Sequence, residues 1–169
     1  MEKLHPKAVW IFFFRFFFRG LVFFIFASVW LGAFLSNLGQ KISFVWWVIL
    51  IFIIYTILCY IWSQLTYRFW LYELTEGAFK KEHGVIWKKY VSIPYERIQN
   101  IDIRRGIIAR VLGLSDLQIQ TAGYSAVHYG RGRMAGIGAE GYLPGLEKGE
   151  AEKLREEFIT RTKSIKQGL

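Results

Sequence analysis

Side chains that could do catalytic chemistry are few in this sequence, and they are widely spaced. The three histidines, His5, His83 and His128, are joined neither to the cysteine nor to paired carboxylates. Metal ligands need suitable spacing, and a nucleophile needs a neighbouring base. Ser125 and His128 stand three residues apart in a glycine-rich stretch, which ordinary loop polarity explains better than a catalytic pair. The sequence therefore predicts no catalytic residue, no metal ligand and no cofactor, and a protein that is not an enzyme.

One glycine string matches a dinucleotide-binding pattern. Gly136-Ile-Gly-Ala-Glu-Gly141 fits GxGxxG. That motif requires a strand before it and a helix that opens on it. Tyr142-Leu-Pro-Gly145 follows instead, which argues against a helix start. We interpret the match as chance in a chain with 16 glycines.

Arginines are the remaining candidates, as contacts for lipid headgroups or a partner. They are Arg15, Arg19, Arg104, Arg105, Arg131 and Arg133. Arg15 and Arg19 would share one helix face among phenylalanines. One interpretation is an ion pathway or headgroup site within the membrane. We favour the other, a helix that begins near Ala8 and lets both arginines reach lipid phosphates, because both lie at the end of the apolar run.

Two long uncharged runs point to a membrane protein. Residues 20–40 and 42–67 contain no Asp, Glu, Lys or Arg, and about 20 helical residues cross a bilayer core. A second run directly after the first argues against a cleaved signal peptide. The sequence predicts an α-helical hairpin with transmembrane helices at about 12–38 and 43–66. The anchor is expected to comprise residues 1–67, and a separate domain residues 68–169.

Charges beside the runs predict the orientation. Basic residues precede the first run and follow the second, whereas the connection holds only Lys41. Short cytoplasmic flanks carry the excess of Lys and Arg. We therefore expect a multi-pass protein of the cell membrane with both termini in the cytoplasm.

The second part of the sequence changes to short alternating segments. Strand-forming stretches occur at 69–75, 78–83, 86–93, 97–104 and 117–121. Ile107 to Leu112 has helical spacing. Leu146 to Lys166 predicts one amphipathic helix, entered through Pro144-Gly145. Strands closed by a terminal helix suggest a small barrel or half-open sandwich.

Several blocks of this part form a recognisable series. In chain order they are Tyr72-Glu-Leu-Thr75, Gly84-Val-Ile-Trp87, Val91-Ser-Ile-Pro-Tyr-Glu-Arg-Ile-Gln-Asn-Ile-Asp102, Arg110-Val-Leu-Gly-Leu114, Thr121-Ala-Gly123 and Leu143-Pro-Gly-Leu146. The series resembles the bacterial pleckstrin-homology-like (PH-like) domain of the second such family, long described as a domain of unknown function in prokaryotic membrane proteins. The resemblance implies a mostly-β PH-like barrel or sandwich with a C-terminal helix, preceded by two transmembrane helices. Residues 123–140 depart from it, because they are longer and richer in glycine than the family pattern.

These observations lead to a functional hypothesis. Residues 68–169 carry 17 basic and 12 acidic side chains, a modest net charge of +5. Nucleic-acid binding would need a stronger basic stripe, so no nucleic acid is expected. We expect a non-enzymatic binding or scaffolding module at the cytoplasmic surface of the lipid bilayer, whose partner is a membrane protein, a second copy or anionic headgroups. The alternative is a subunit of a membrane transport or resistance complex.

Overall fold

Two long apolar helices begin the fold. The computed structural model describes residues 1–37, 44–121 and 141–167. Helix α1 runs over Ala8–Asn37 and helix α2 over Phe44–Arg68, and both are long and apolar enough to cross a membrane. They pack against each other as a hairpin, which confirms the predicted pair. Helix α1 begins at Ala8, ahead of the uncharged run that starts at residue 20. Its first turns pack against the domain, where Ala8 and Phe12 are buried.

Two antiparallel sheets and a terminal helix follow. In the described part of the chain the strands are β1 (Glu2–Lys3), β2 (Leu71–Leu74), β3 (Ala78–His83), β4 (Lys89–Pro94), β5 (Ile98–Arg104), β6 (Leu114–Thr121) and β7 (Gly141–Glu147). The order is β1-β2-β3-β4 in one sheet and β5-β6-β7 in the other. A short helix α3 (Ile107–Val111) joins β5 to β6, and helix α4 (Lys148–Gln167) ends the fold. This arrangement confirms the predicted hairpin followed by a sandwich with a C-terminal helix.

Strand β7 was not predicted. The sequence prediction used Pro144 and Gly145 as the entry to the last helix, but both lie in this strand and α4 begins only at Lys148. In the described residues β7 is an edge strand, where a proline without an N–H group is tolerated. The pairing of Leu117 with Leu143 and of Ser115 with Leu146 leaves two residues of β7 opposite Asp116. Pro144 and Gly145 therefore form a β-bulge.

The β3–β4 connection also differs from its prediction. A strand was expected from residue 86, but β4 begins at Lys89, and Ile86 and Trp87 lie in the preceding turn. Gly84 has φ of +119°, and a Cβ atom there would collide with the Trp87 carbonyl oxygen. The tight turn that only glycine permits thus takes Ile86 and Trp87 out of the sheet.

The core lies between the two sheets and under α4. Phe158 of α4 makes edge-to-face ring contacts with Phe79 at 5.2 Å and with Tyr95 at 5.9 Å. Leu117 and Leu143 close the core from the second sheet. The amphipathic pattern of the tail helix thus has a direct structural counterpart, since its apolar stripe covers the sandwich.

The start of the chain shares this core. Strand β1 pairs with β2, and the side chains of Leu4, Ala8 and Phe12 are buried among the domain residues. Gly145 in the bulge has φ of +68°, and a Cβ atom there would lie 2.5 Å from Cβ of Ala8. Absence of a side chain at this position therefore allows α1 to approach β7 closely. The boundary at residue 68 stays an expectation, but the packing of residues 2–12 crosses it.

Candidate functional site

Arg15 lies where α1 leaves the domain, in a three-residue polar cluster. Its Nη2 donates a hydrogen bond to the Tyr142 hydroxyl at 2.9 Å, and that hydroxyl donates to Oδ2 of Asp116 at 2.9 Å. The other carboxylate oxygen, Oδ1, accepts the Gly145 N–H at 3.0 Å. The bulge in β7 makes this possible, because it presents the Gly145 amide to Asp116. We call Arg15, Asp116 and Tyr142 the Arg15 cluster.

Burial and charge set the electrostatics of the Arg15 cluster. Tyr142 is buried, and desolvation, followed by the nearby Asp116 carboxylate, raises the pKa of its hydroxyl to about 12. Arg15 opposes that shift without cancelling it. The hydroxyl therefore stays protonated at neutral pH and acts as a bridge between the guanidinium and the carboxylate. Such a satisfied chain of polar groups stabilises the position of a helix rather than activating a nucleophile.

Further hydrogen bonds join α2 to the first turn of α1 and to the segment before it. The Ser63 hydroxyl donates to the Val9 carbonyl, and the Tyr67 hydroxyl donates to the Leu4 carbonyl at 3.2 Å. The end of α2 is therefore held against the start of the chain where both meet the domain, and the anchor and the domain form a continuous packed unit.

Of the other predicted arginines the structure describes three, and one of them, Arg104, lies opposite Asp116 of the Arg15 cluster in the register of β5 with β6. Arg19 is exposed one turn further along α1. Arg104 ends β5 and Arg105 follows it, both exposed, and Nε of Arg105 donates to the Leu114 carbonyl at 3.2 Å. Arg131 and Arg133 lie outside the described residues. The structure thus gives Arg15 a protein partner and sets Arg104 opposite a member of the same cluster. The role of the predicted arginines as lipid or partner contacts stays a prediction.

A second candidate is a groove between β5 and α4. It is open to solvent, has a volume of about 210 Å³ and is lined by Ile98, Gln99, Asn100, Ile101, Arg155, Ile159, Thr162 and Lys163. Among the described residues β5 is an edge strand, and its irregular pairing leaves Gln99 as a bulge. Asn100 accepts the Ile101 N–H with its own side chain at 2.9 Å. That bond occupies one edge donor, so recognition here would depend mainly on the side chains.

His83, at the end of β3, has a lowered pKa. Its ring lies 4.9 Å from that of Trp70, and desolvation, with smaller repulsion from Lys81 and Lys89, lowers the pKa to about 4. Within the described ranges no three His, Cys, Asp or Glu residues lie close enough to hold a metal ion. The candidates Ser125 and His128 lie outside those ranges. In the glycine string only Gly141 is described, and it begins a strand.

Several exposed apolar side chains were missed by sequence reasoning. Ile86 and Trp87 occupy the β3–β4 turn, and Ile107 and Val111 project from α3. The sequence predicts a strand for the first pair and a helix for the second, and neither prediction indicates which side chains face outward. The sequence signal for the second pair is its spacing. Ile107 and Val111 are four residues apart, and so are the apolar Ile108 and Leu112, so α3 has two apolar faces.

The fold and these sites define a class of protein, a helical membrane hairpin continuous with a two-sheet domain that a C-terminal helix closes. The chain belongs to the Bacterial PH domain family, whose sequence pattern matches residues 21–162. This membership confirms the family resemblance that the sequence blocks indicated, and the match also includes most of the hairpin.

A curated relative supports the membrane assignment. The UPF0699 transmembrane protein YdbT of Bacillus subtilis (strain 168) is 32% identical to this chain over 97 residues. The aligned part is 56% of this chain but only 16% of the relative. No solved structure matches the chain significantly. Together with the two spanning helices, these similarities make the protein a membrane protein with a PH-like domain.

Proposed function

We propose that the protein is a non-enzymatic scaffold that presents its β5–α4 groove to an acidic segment of a partner protein at the cytoplasmic membrane surface. The single observation that carries this proposal is the groove itself, an open cleft at a sheet edge with basic side chains from α4. Support for the cytoplasmic side comes from the basic residues that flank the spans, because Lys and Arg accumulate on that side. On this proposal both termini lie in the cytoplasm.

Charge is the feature that selects the partner. Arg155 and Lys163 lie two turns apart on α4, both exposed and both lining the groove. Among the described residues no acidic residue lines the groove, and Asp102, which follows its lining residues on β5, accepts hydrogen bonds from Asn100 and from Gln120. An extended segment with acidic side chains would therefore complement the positive charges of Arg155 and Lys163, while the partly buried Ile159 would contact its apolar groups.

The rigid attachment of the domain favours scaffolding. A partner bound in the groove would be held at a fixed height above the membrane, since β1 and the first turns of α1 are packed into the domain. By contrast, nothing specific supports the transport alternative in the described part of the hairpin. The Ser28 and Thr56 hydroxyls donate to carbonyls of their own helices.

Site-specific crosslinking in native membranes tests the proposal. A photo-crosslinking amino acid replaces Thr162 in the groove of the full chain, and the control carries it at the exposed Lys153 of the same helix. We expect a discrete adduct from position 162 and none from 153, and we expect Arg155→Glu combined with Lys163→Glu to abolish it. The full chain is required because a fragment that starts at residue 68 would lack β1, Leu4 and Phe12.

Each outcome of the crosslinking has a defined meaning. An adduct with a protein that carries an acidic segment, lost on charge reversal, supports the proposal. An adduct between two copies of this chain would contradict partner binding and indicate self-assembly through the groove. Absence of any adduct, or an adduct that survives charge reversal, would show that the groove is not the binding site.

A further inference from the structure

Two pairs of apolar side chains project from the domain close to the helical hairpin. Trp87 is 86% exposed and Ile86 69% in the β3–β4 turn, while Ile107 and Val111 are 82% and 83% exposed on α3. Large exposed apolar groups that cluster on a soluble surface mark an interaction site. We call these four residues the apolar rim.

The first pair lies against the end of α2. Strand β2 begins three residues after α2 ends, so Leu71 lies near the end of that helix. Because Leu71 pairs with Glu82, the end of β3 also lies near α2. The turn that follows β3 shares a crevice of about 330 Å³ with Trp62 and Thr66 of α2. Ile86 and Trp87 therefore lie beside the last two turns of a spanning helix.

Helix α3, which carries the second pair, packs against the start of α1 through its other face. Ala109 of α3 is buried against Ile11, and Ile108 and Leu112 pack around them. Ile11 precedes Arg15 by one helical turn and Arg19 by two, or about 6 Å and 12 Å along the axis at 1.5 Å per residue. The headgroup layer on each side of a bilayer is roughly 5 to 8 Å thick. If Arg15 and Arg19 mark the membrane boundary, α3 lies at headgroup depth.

Basic residues adjoin the apolar rim along the chain. Arg104 and Arg105 precede α3, and Arg110 lies within it, all three exposed. Lys88 follows Trp87, and its Nζ forms an ion pair with Glu82 at 3.0 Å. A basic side chain near an anionic leaflet contributes about 1 kcal/mol of attraction. An apolar tip with basic neighbours is the pattern of a segment that lies in the membrane interface.

We propose that the apolar rim inserts into the headgroup region of the bilayer that the hairpin spans, so that the domain rests on the membrane through Trp87, Ile107 and Val111. The surface of the protein that faces lipid then extends without a break from the helices onto the domain. Arg104, Arg105 and Arg110 bind anionic headgroups around the inserted side chains. The bilayer fixes the tilt of the domain in addition to its height.

Spin-label accessibility measures this insertion directly. Single cysteines replace Trp87 and Ile107 in the full chain, in a Cys59→Ser background, and the spin-labelled protein is placed in nanodiscs of phosphatidylcholine and phosphatidylglycerol. The control label replaces Glu76, an exposed residue in the β2–β3 turn at the other end of β2 from the membrane. Accessibility to oxygen and to a water-soluble nickel chelate is compared at the three positions.

We expect oxygen to be favoured over the nickel chelate at 87 and 107, with the opposite preference at 76. We also expect the depth at 87 to decrease in the Ile107→Ser and Val111→Ser double variant, with unchanged thermal unfolding. Equal nickel accessibility at all three positions would overturn the proposal. Protection from both reagents, with spin–spin broadening between molecules, would assign the apolar rim to a contact between two copies and would also overturn it.

Discussion

Helix α1 has two stretches with different surroundings. Near its start Phe12 is 1% exposed, because Trp70 and the domain core cover it, whereas Phe23 further along is 75% exposed. Both side chains are phenylalanine in a continuous apolar helix. The first is removed from water by protein, and the second by lipid. We call residues 8–16 the domain stretch and residues 20–34 the lipid stretch.

The difference shows which contacts determine the structure. Lipid chains are as apolar as the side chains they surround, so a change of size in the lipid stretch has little energetic effect on folding. The domain stretch is close-packed, and there each lost contact leaves a cavity. Stability and the orientation of the domain therefore depend on the first turns of α1.

The largest expected effect comes from removing the ring that the domain covers. Phe12→Ala should reduce the free energy of unfolding by about 3 to 5 kcal/mol, through lost burial and the cavity left beside Trp70. Phe23→Ala is the matched control and should change it little. Denaturant unfolding in nanodiscs measures both. Equal effects at the two positions would contradict the division of α1 into two stretches.

A smaller loss is expected where β7 touches the domain stretch. Gly145→Val puts a branched side chain at φ of +68° and against Ala8, which should cost about 2 to 4 kcal/mol in strain and displaced packing. Gly149→Ala is the control, since a Cβ atom at that helical position meets nothing within 4 Å. Thermal unfolding of the two variants separates the outcomes. A neutral Gly145→Val would mean that α1 does not approach β7 closely.

The hydrogen bonds of the Arg15 cluster, at the end of the domain stretch, contribute less to the free energy of unfolding. Tyr142→Phe removes the bridge between Arg15 and Asp116, and we expect a loss of about 1 to 2 kcal/mol, as for a buried hydrogen bond whose partners stay behind. Tyr90→Phe, at an exposed tyrosine on β4, should be neutral. Denaturant midpoints of the full chain in nanodiscs measure both changes. If the two variants unfold alike, the Arg15 cluster does not hold the helix.

Acid should lower the stability of the domain, because His83 becomes protonated. Its pKa is about 4 when folded, against about 6.5 when unfolded, so the unfolded chain binds more protons between these values. Stability from this group is therefore complete above pH 6.5 and is lost as the pH falls towards 4, on the order of 1 kcal/mol per pH unit. Unfolding midpoints at pH 7.5 and 4.5 should differ less in His83→Gln than in the natural chain. An identical pH dependence in both would refute the assignment to His83.

The candidate sites were only partly predictable. Arg15 was identified from its position at the end of an apolar run, but its partners Tyr142 and Asp116 are more than 100 residues away, and no local pattern links them. The groove was not predicted either, since it is formed by β5 and α4, which are distant in the chain. The apolar rim was not predicted because a turn and the short helix α3 bring it beside the hairpin, and local periodicity does not indicate where either of them lies in the fold.

Sequence by itself determined the parts that depend on composition and local pattern. Two uncharged runs specify spanning helices, because a bilayer of fixed thickness accepts only long apolar segments. Alternation specified most strands, and the spacing of Ala151, Leu154 and Phe158 specified α4. These are short-range requirements of hydrogen bonding and burial, so they can be read along the chain.

Only the tertiary structure decided how the anchor and the domain meet. Strand β1, the burial of Leu4 and Phe12, and the bulge at Pro144 and Gly145 each depend on a partner far away in the chain. Proline and glycine favour a turn locally, but pairing with β6 and contact with Ala8 place them in an edge strand. Non-local packing overrides local preference there, and it makes the start of a membrane helix part of the core of the domain.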